Sequence, residues 1–228
     1  MIERLSVKNF KSWADLPALE FGKVTALFGA NSSGKTSLIQ LLLMLKQTVT
    51  SRDRRILNLG GTPQDYVDLG SYEDVIHGHH TSLDIGFSLK WFSLPDEEDF
   101  PWDAADITLE VNLGYVEEEI VVKRLSYAAE LGHEQPYLTE DDIETELQWE
   151  PLRVSMTRSL EGKYDISTPT GVQLDSKSIE LVGFHTIQPL VIPLGKNGKH
   201  FERVVFAFRN LSRSLEELLG SIYYLGPL

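Results

Sequence analysis

Apolar and polar positions alternate along much of this chain, which predicts a fold rich in strands. Leu5, Val7 and Phe10 alternate with polar neighbours, and Leu16 to Phe21 forms a second extended stretch. Farther on, Leu83, Ile85, Phe87, Leu89 and Trp91 keep strict period-two spacing, as do Ile107, Leu109, Val111 and Leu113. Further strands are expected near Ile120 to Leu125, around Leu152, Val154 and Met156, and at Tyr164 and Ile166. Alternation of this kind implies an antiparallel sheet with one face on a core and the other in water. Asp84, Asp106 and Glu110 fall on the wet face.

Three segments break that pattern. Val24-Thr25-Ala26-Leu27-Phe28 is a short continuous apolar run, as in a strand buried on both sides. From Ser37 to Thr48 the period becomes helical through Leu38, Ile39, Leu41, Leu42 and Leu45, apolar nearly all round, which predicts a helix held between layers. Phe201, Val204, Val205, Phe208, Leu211, Leu215, Leu218 and Leu219 recur at three and four residues and are closed by Gly220, an amphipathic helix with its cap. Ile222 to Leu225 then reads as a final strand. The fold class that follows is α/β: a strand–helix unit over residues 1–50, an antiparallel β-rich region over about 80–195, and a helix with a strand over 200–228.

Hydrophobic residues make up 42% of the 228 residues and charged ones 24%, which excludes a disordered chain. No apolar run approaches the roughly 20 residues of a membrane helix. Cysteine is absent, so disulfides and thiol chemistry are excluded, and with no signal-peptide grammar at Met1 to Arg4 a cytoplasmic protein is expected. The net charge of −13 is unevenly distributed: seventeen acidic residues lie between Asp96 and Glu146 against only Lys123 and Arg124. That segment would repel a phosphate backbone, so nucleic acid is not indicated as its partner; it reads as a solvated face, or as a docking face for a basic effector protein.

The chemistry sits between the apolar run and the first helix. Gly29-Ala30-Asn31-Ser32-Ser33-Gly34-Lys35-Thr36 matches G-x-x-x-x-G-K-[ST], the phosphate-binding loop. Glycines let the backbone wrap a phosphate without Cβ clashes, and successive N–H groups from Asn31 onward form an anion nest at a helix N-terminus. Lys35 is the candidate for the β- and γ-phosphates and the Thr36 hydroxyl for Mg²⁺, with Ser37 beside it. ATP and Mg²⁺ are therefore the expected ligands. No Asn-Lys-x-Asp guanine reader occurs, which disfavours a GTPase. His77-Gly78-His79-His80, with Glu73 and Asp74 upstream, matches no closed zinc geometry and reads as a polar turn. The four tryptophans, Trp13 among them, read as sheet core.

With Lys8-Asn9-Phe10-Lys11-Ser12 ahead of the loop and Leu27 to Ser37 through it, the chain resembles the amino-terminal lobe of the ABC-type, AAA-family ATPases of the SMC, RecF and OLD group. Val67 to Asp74 and Tyr224 to Leu228 also look like bacterial relatives, some of them in phage-defence systems. The resemblance implies a P-loop NTPase half whose ATP lies between two heads, with Lys11 and Ser12 near the nucleotide or the partner head. It also implies a glutamine reaching Mg²⁺, for which Gln64 is the candidate against the plainer reading of a surface loop residue. No catalytic base is identifiable: the apolar strand ending in Asp-Glu is absent, as is a serine-glycine signature. In this family those parts belong to a carboxy-terminal lobe, so the chain reads as a lobe truncated before it, or one completed by another chain. The alternative is a regulatory module that binds nucleotide without hydrolysing it.

Overall fold

The computed structural model describes residues 1–31, 33–51, 56–93, 105–131, 152–160, 162–167, 179–189 and 196–225. The strands are β1 (Ile2–Phe10), β2 (Trp13–Glu20), β3 (Ile85–Ser93), β4 (Ala105–Val116), β5 (Glu119–Leu131), β6 (Leu152–Arg158) and β7 (Tyr164–Ser167), with β8 (Ile179–Val182) and β9 (Thr186–Pro189) apart. The helices are α1 (Lys35–Thr50), α2 (Tyr72–Val75) and α3 (Lys196–Gly220), with a 3₁₀ turn at His77–His79. Seven strands form one antiparallel sheet in the order β2-β1-β3-β4-β5-β6-β7, and β8 and β9 form a separate hairpin.

Period-two spacing decides which face is dry. Leu5 and Val7, Ile85 to Trp91, Ile107 to Leu113, Leu125 to Ala129, and Val154 with Met156 place every second side chain in one core. One parity break interrupts it. Leu113 pairs with Val122 but Asn112 with Arg124, so Lys123 is an extra residue, a bulge that moves the buried positions of β5 from Val122 to Leu125.

Helices α1 and α3 pack against each other, and α3 lies on the dry face of the sheet. Val205, Phe208, Leu211, Leu215 and Leu219 are its buried stripe, with the Phe208 ring edge-on to Tyr127 at 5.9 Å. Polar pins fix it laterally: Trp91 Nε1 donates to Ser214 Oγ at 3.0 Å, and His185 Nε2 meets Glu216 Oε1 at 2.9 Å.

Two expected strands are absent. Val24 to Phe28 and Ile222 to Leu225 carry strand-type sequence but form no strand. A strand is made by its neighbour's hydrogen bonds, and none of the described residues supplies a neighbour to either segment. Several of their apolar side chains consequently face outward, Val24 being 91% exposed, Phe28 92% and Leu225 96%, whereas Ile222 and Tyr224 pack half-buried against the core. Helix α3 also begins earlier than its apolar period suggested, at Lys196. Eleven of the seventeen acidic residues of the middle segment fall outside the described residues, as do Arg52, Arg54 and Arg55; of the described ones, Asp106 pairs with Lys90 across the wet face at 2.8 Å.

Candidate nucleotide site

The residues from Gly29 lead directly into α1, whose first helical residue is Lys35. Gly34 caps the helix in the left-handed conformation, at φ 91°. No side chain caps the helix and no carboxylate stands in its first turn, so the leading N–H groups and the positive end of the helix dipole are left for an anion.

Both glycines hold a positive φ, and Gly34 is in addition packed too closely for a side chain. A Cβ on Gly34 would lie 2.6 Å from Ser12 Oγ and 2.7 Å from Trp13 Nε1; one on Gly29 would lie 2.8 Å from Ser33 Oγ. The Lys35 ammonium closes the loop, donating to the Gly29 carbonyl at 2.8 Å, the Ala30 carbonyl at 2.6 Å and Ser33 Oγ at 3.2 Å. Ser33 N also donates to Ala30 O at 3.3 Å. Asn31 and Thr36 are exposed, and the Thr36 hydroxyl makes no hydrogen bond among the described residues. Ser32 lies outside the described residues.

The turn between β1 and β2 braces this loop and sets Lys11 and Ser12 against the start of α1. Ser12 Oγ is 3.4 Å from Ser37 Oγ, and Lys11 Nζ donates to Gln40 Oε1 on α1 at 3.0 Å. Burial lowers the Lys11 pKa from 10.5, with Asp74 opposing the shift. Trp13, on β2, packs half-buried against the core as expected of a sheet residue, and in addition its Nε1 donates to the Gly34 carbonyl at 3.0 Å. Its place two residues after Lys11 was the only sequence signal for that role.

Gln64 is not brought to the loop by any hydrogen bond. It is exposed in the turn Thr62–Asp65. The histidine run is a turn, as expected: His77 Nδ1 is 2.7 Å from Lys11 O, and His79 Nδ1 is 2.9 Å from Glu73 O. No metal-binding cluster of His, Cys, Asp or Glu occurs among the described residues. Nor is any helix among them long and apolar enough to cross a membrane.

A family model described as an AAA ATPase domain matches residues 1–180. The chain belongs to that family. The AAA-family resemblance read from the opening segment and the loop is thereby borne out, and with it an α/β, P-loop NTPase fold and an ATP-binding ATPase module. No curated protein matches. Among solved structures, one described as "Structural biochemistry of ATP-driven dimerization and DNA stimulated activation of SMC ATPases" is similar at 19% identity and a TM-score of 0.29, over 63% of this chain and 75% of that one.

Proposed function

We propose that Gly29 to Ser37 hold the phosphates of ATP with Mg²⁺, in one lobe of an ABC-type ATPase. The carrying observation is Lys35 on the first turn of an uncapped, acid-free helix, behind Gly34, whose neighbours leave no room for a Cβ. Those features fit a phosphate: backbone N–H groups supply neutral donors, Lys35 a mobile cation, and the free Thr36 hydroxyl an oxygen ligand for Mg²⁺. Bound Mg²⁺ neutralises charge on the phosphate oxygens. Lys11 and Ser12 stand at the rim, toward the nucleotide or a second head.

Hydrolysis, in this reading, requires completion by a carboxy-terminal lobe and a partner head. Support comes from Val24 and Phe28, a β-type run presented to solvent immediately before the loop, which further strands would cover. We further place the assembly in the cytoplasm; its output, phage defence included, rests on the resemblance of Val67 to Asp74 and Tyr224 to Leu228.

The test is equilibrium binding of Mg·ATP beside Lys35→Ala, with phosphate release followed in the same samples. Binding lost in the variant, with no release by either, is the expected result. Phosphate release abolished by Lys35→Ala would show the site complete as it stands. Failure of the wild type to bind would remove the nucleotide reading. The non-hydrolysing alternative predicts that release stays absent even with the completing lobe supplied.

A further inference from the structure

Helix α1 carries a feature that core packing does not require. Lys46, Gln47 and Thr48 are consecutive, polar and almost wholly buried, with Gln47 only 3% exposed. Each is fully engaged. Gln47 pairs with Val67 as a strand residue would, its Nε2 donating to Val67 O at 3.1 Å and its Oε1 accepting from Val67 N at 3.0 Å. The same Nε2 donates to Asn58 O at 2.8 Å, and Thr48 Oγ1 accepts from Asn58 N at 2.9 Å. Both ends of the segment 58–67 are therefore fastened to one turn of α1.

That segment is itself stiff. Asn58 Nδ2 donates to Asp65 Oδ1 at 2.7 Å, Asn58 Oδ1 accepts from Gly60 N at 3.0 Å, and Asp65 Oδ2 accepts from Thr62 N and Oγ1, both at 2.8 Å. It is a compact loop with closed ends, presenting Thr62 to Gln64 outward. Gln47 lies twelve residues after Lys35, about 18 Å along the helix axis. A helix held by buried, satisfied hydrogen bonds transmits displacement of one end to the other without slack.

We propose that Gln47 is a positioning residue: it makes the 58–67 loop part of the phosphate-loop helix, so that ligand binding at Lys35 repositions Pro63 and Gln64. This rests on the nucleotide reading above. No role for Gln64 on Mg²⁺ is needed; the loop delivers its tip to whatever completes the site.

Amide hydrogen exchange on the full chain, with and without Mg·ATP, beside Gln47→Met, is the test. In the wild type, ATP slows exchange across 58–67. In Gln47→Met the ATP affinity is kept, the loop exchanges at least about tenfold faster, since three hydrogen bonds are lost and one net bond alone corresponds to up to roughly tenfold, and the response to ATP disappears. A merely structural role would instead raise exchange throughout and weaken ATP binding in parallel. A response that survives in the variant overturns the proposal. So does a wild type that binds ATP with no change at 58–67, which leaves the nucleotide reading intact; a wild type that binds none removes both. Should Gln47→Met not fold, Gln47→Glu decides in its place, since its carboxyl keeps the acceptor for Val67 N and, even when protonated, donates only one of the two bonds to Asn58 O and Val67 O.

Discussion

At the scale of single residues, the phosphate loop was legible because its chemistry demands fixed types at fixed spacing. Gly34 and Lys35 are forced by sterics and charge. The role of Trp13 at the loop was not legible, since an indole hydrogen bond to a carbonyl leaves no periodic trace. Lys46, Gln47 and Thr48 were invisible for a related reason: polar residues at the end of an apolar helix read as its exposed end, whereas here each finds a backbone partner and is buried. The Gly34 geometry yields a graded expectation. Gly34→Ala meets both a φ of 91° and contacts near 2.6 Å, so it should abolish Mg·ATP binding and lower stability by about 1–3 kcal/mol. Trp13→Phe keeps the ring and loses only the bond to the Gly34 carbonyl, so ATP affinity should fall about three- to tenfold, as for one hydrogen bond worth ~1 kcal/mol. Titration calorimetry on both variants checks the order.

At the scale of elements, period-two alternation located β3, β4 and most of β5, while the bulge at Lys123 lay beyond the pattern because it arises from pairing. The segment Val67 to Asp74 was recognised but its physics was not. Asp74 and Ser71 form a reciprocal cap for α2: Asp74 Oδ2 accepts from Ser71 N at 2.8 Å and Ser71 Oγ at 2.7 Å. These bonds hold the Asp74 pKa below its ordinary 3.8, the Ser71 backbone bond contributing most. An acid with a depressed folded pKa stabilises the fold above its unfolded value, and that contribution is lost as pH falls through the folded one. Asp74→Asn should therefore flatten the acid limb of the thermal midpoint below pH 3.8 and leave its slope near neutrality unchanged. Parallel acid limbs in the two proteins would contradict this. Because Lys11 N donates to Val75 O at 2.7 Å, the cap also steadies the turn that braces the phosphate loop.

At the scale of the molecule, sheet, α1 and α3 share one core, yet two β-type segments present apolar side chains beyond it, the second while packing Ile222 and Tyr224 against it. Val24 and Leu225 are each more than nine-tenths exposed. Single exposed apolar residues are ordinary on protein surfaces; a run of them with strand propensity and no pairing partner is a template for another strand. If these segments await cover, the isolated chain should self-associate as concentration rises and bind a hydrophobic dye without unfolding. The double variant Val24→Ser with Leu225→Ser removes apolar surface that the native core does not use, so its unfolding midpoint should match the wild type while both behaviours diminish. Sedimentation velocity with thermal unfolding separates the outcomes. A variant that loses stability would place these side chains in the core in solution. One that associates unchanged would move the sticky surface elsewhere, to the half-exposed Tyr66 and the exposed Tyr223, whose rings flank the Lys46 ammonium at 4.9 and 5.0 Å. Unchanged stability with loss of association supports the proposal that the β-type run leading into the phosphate loop is a surface for another chain to cover.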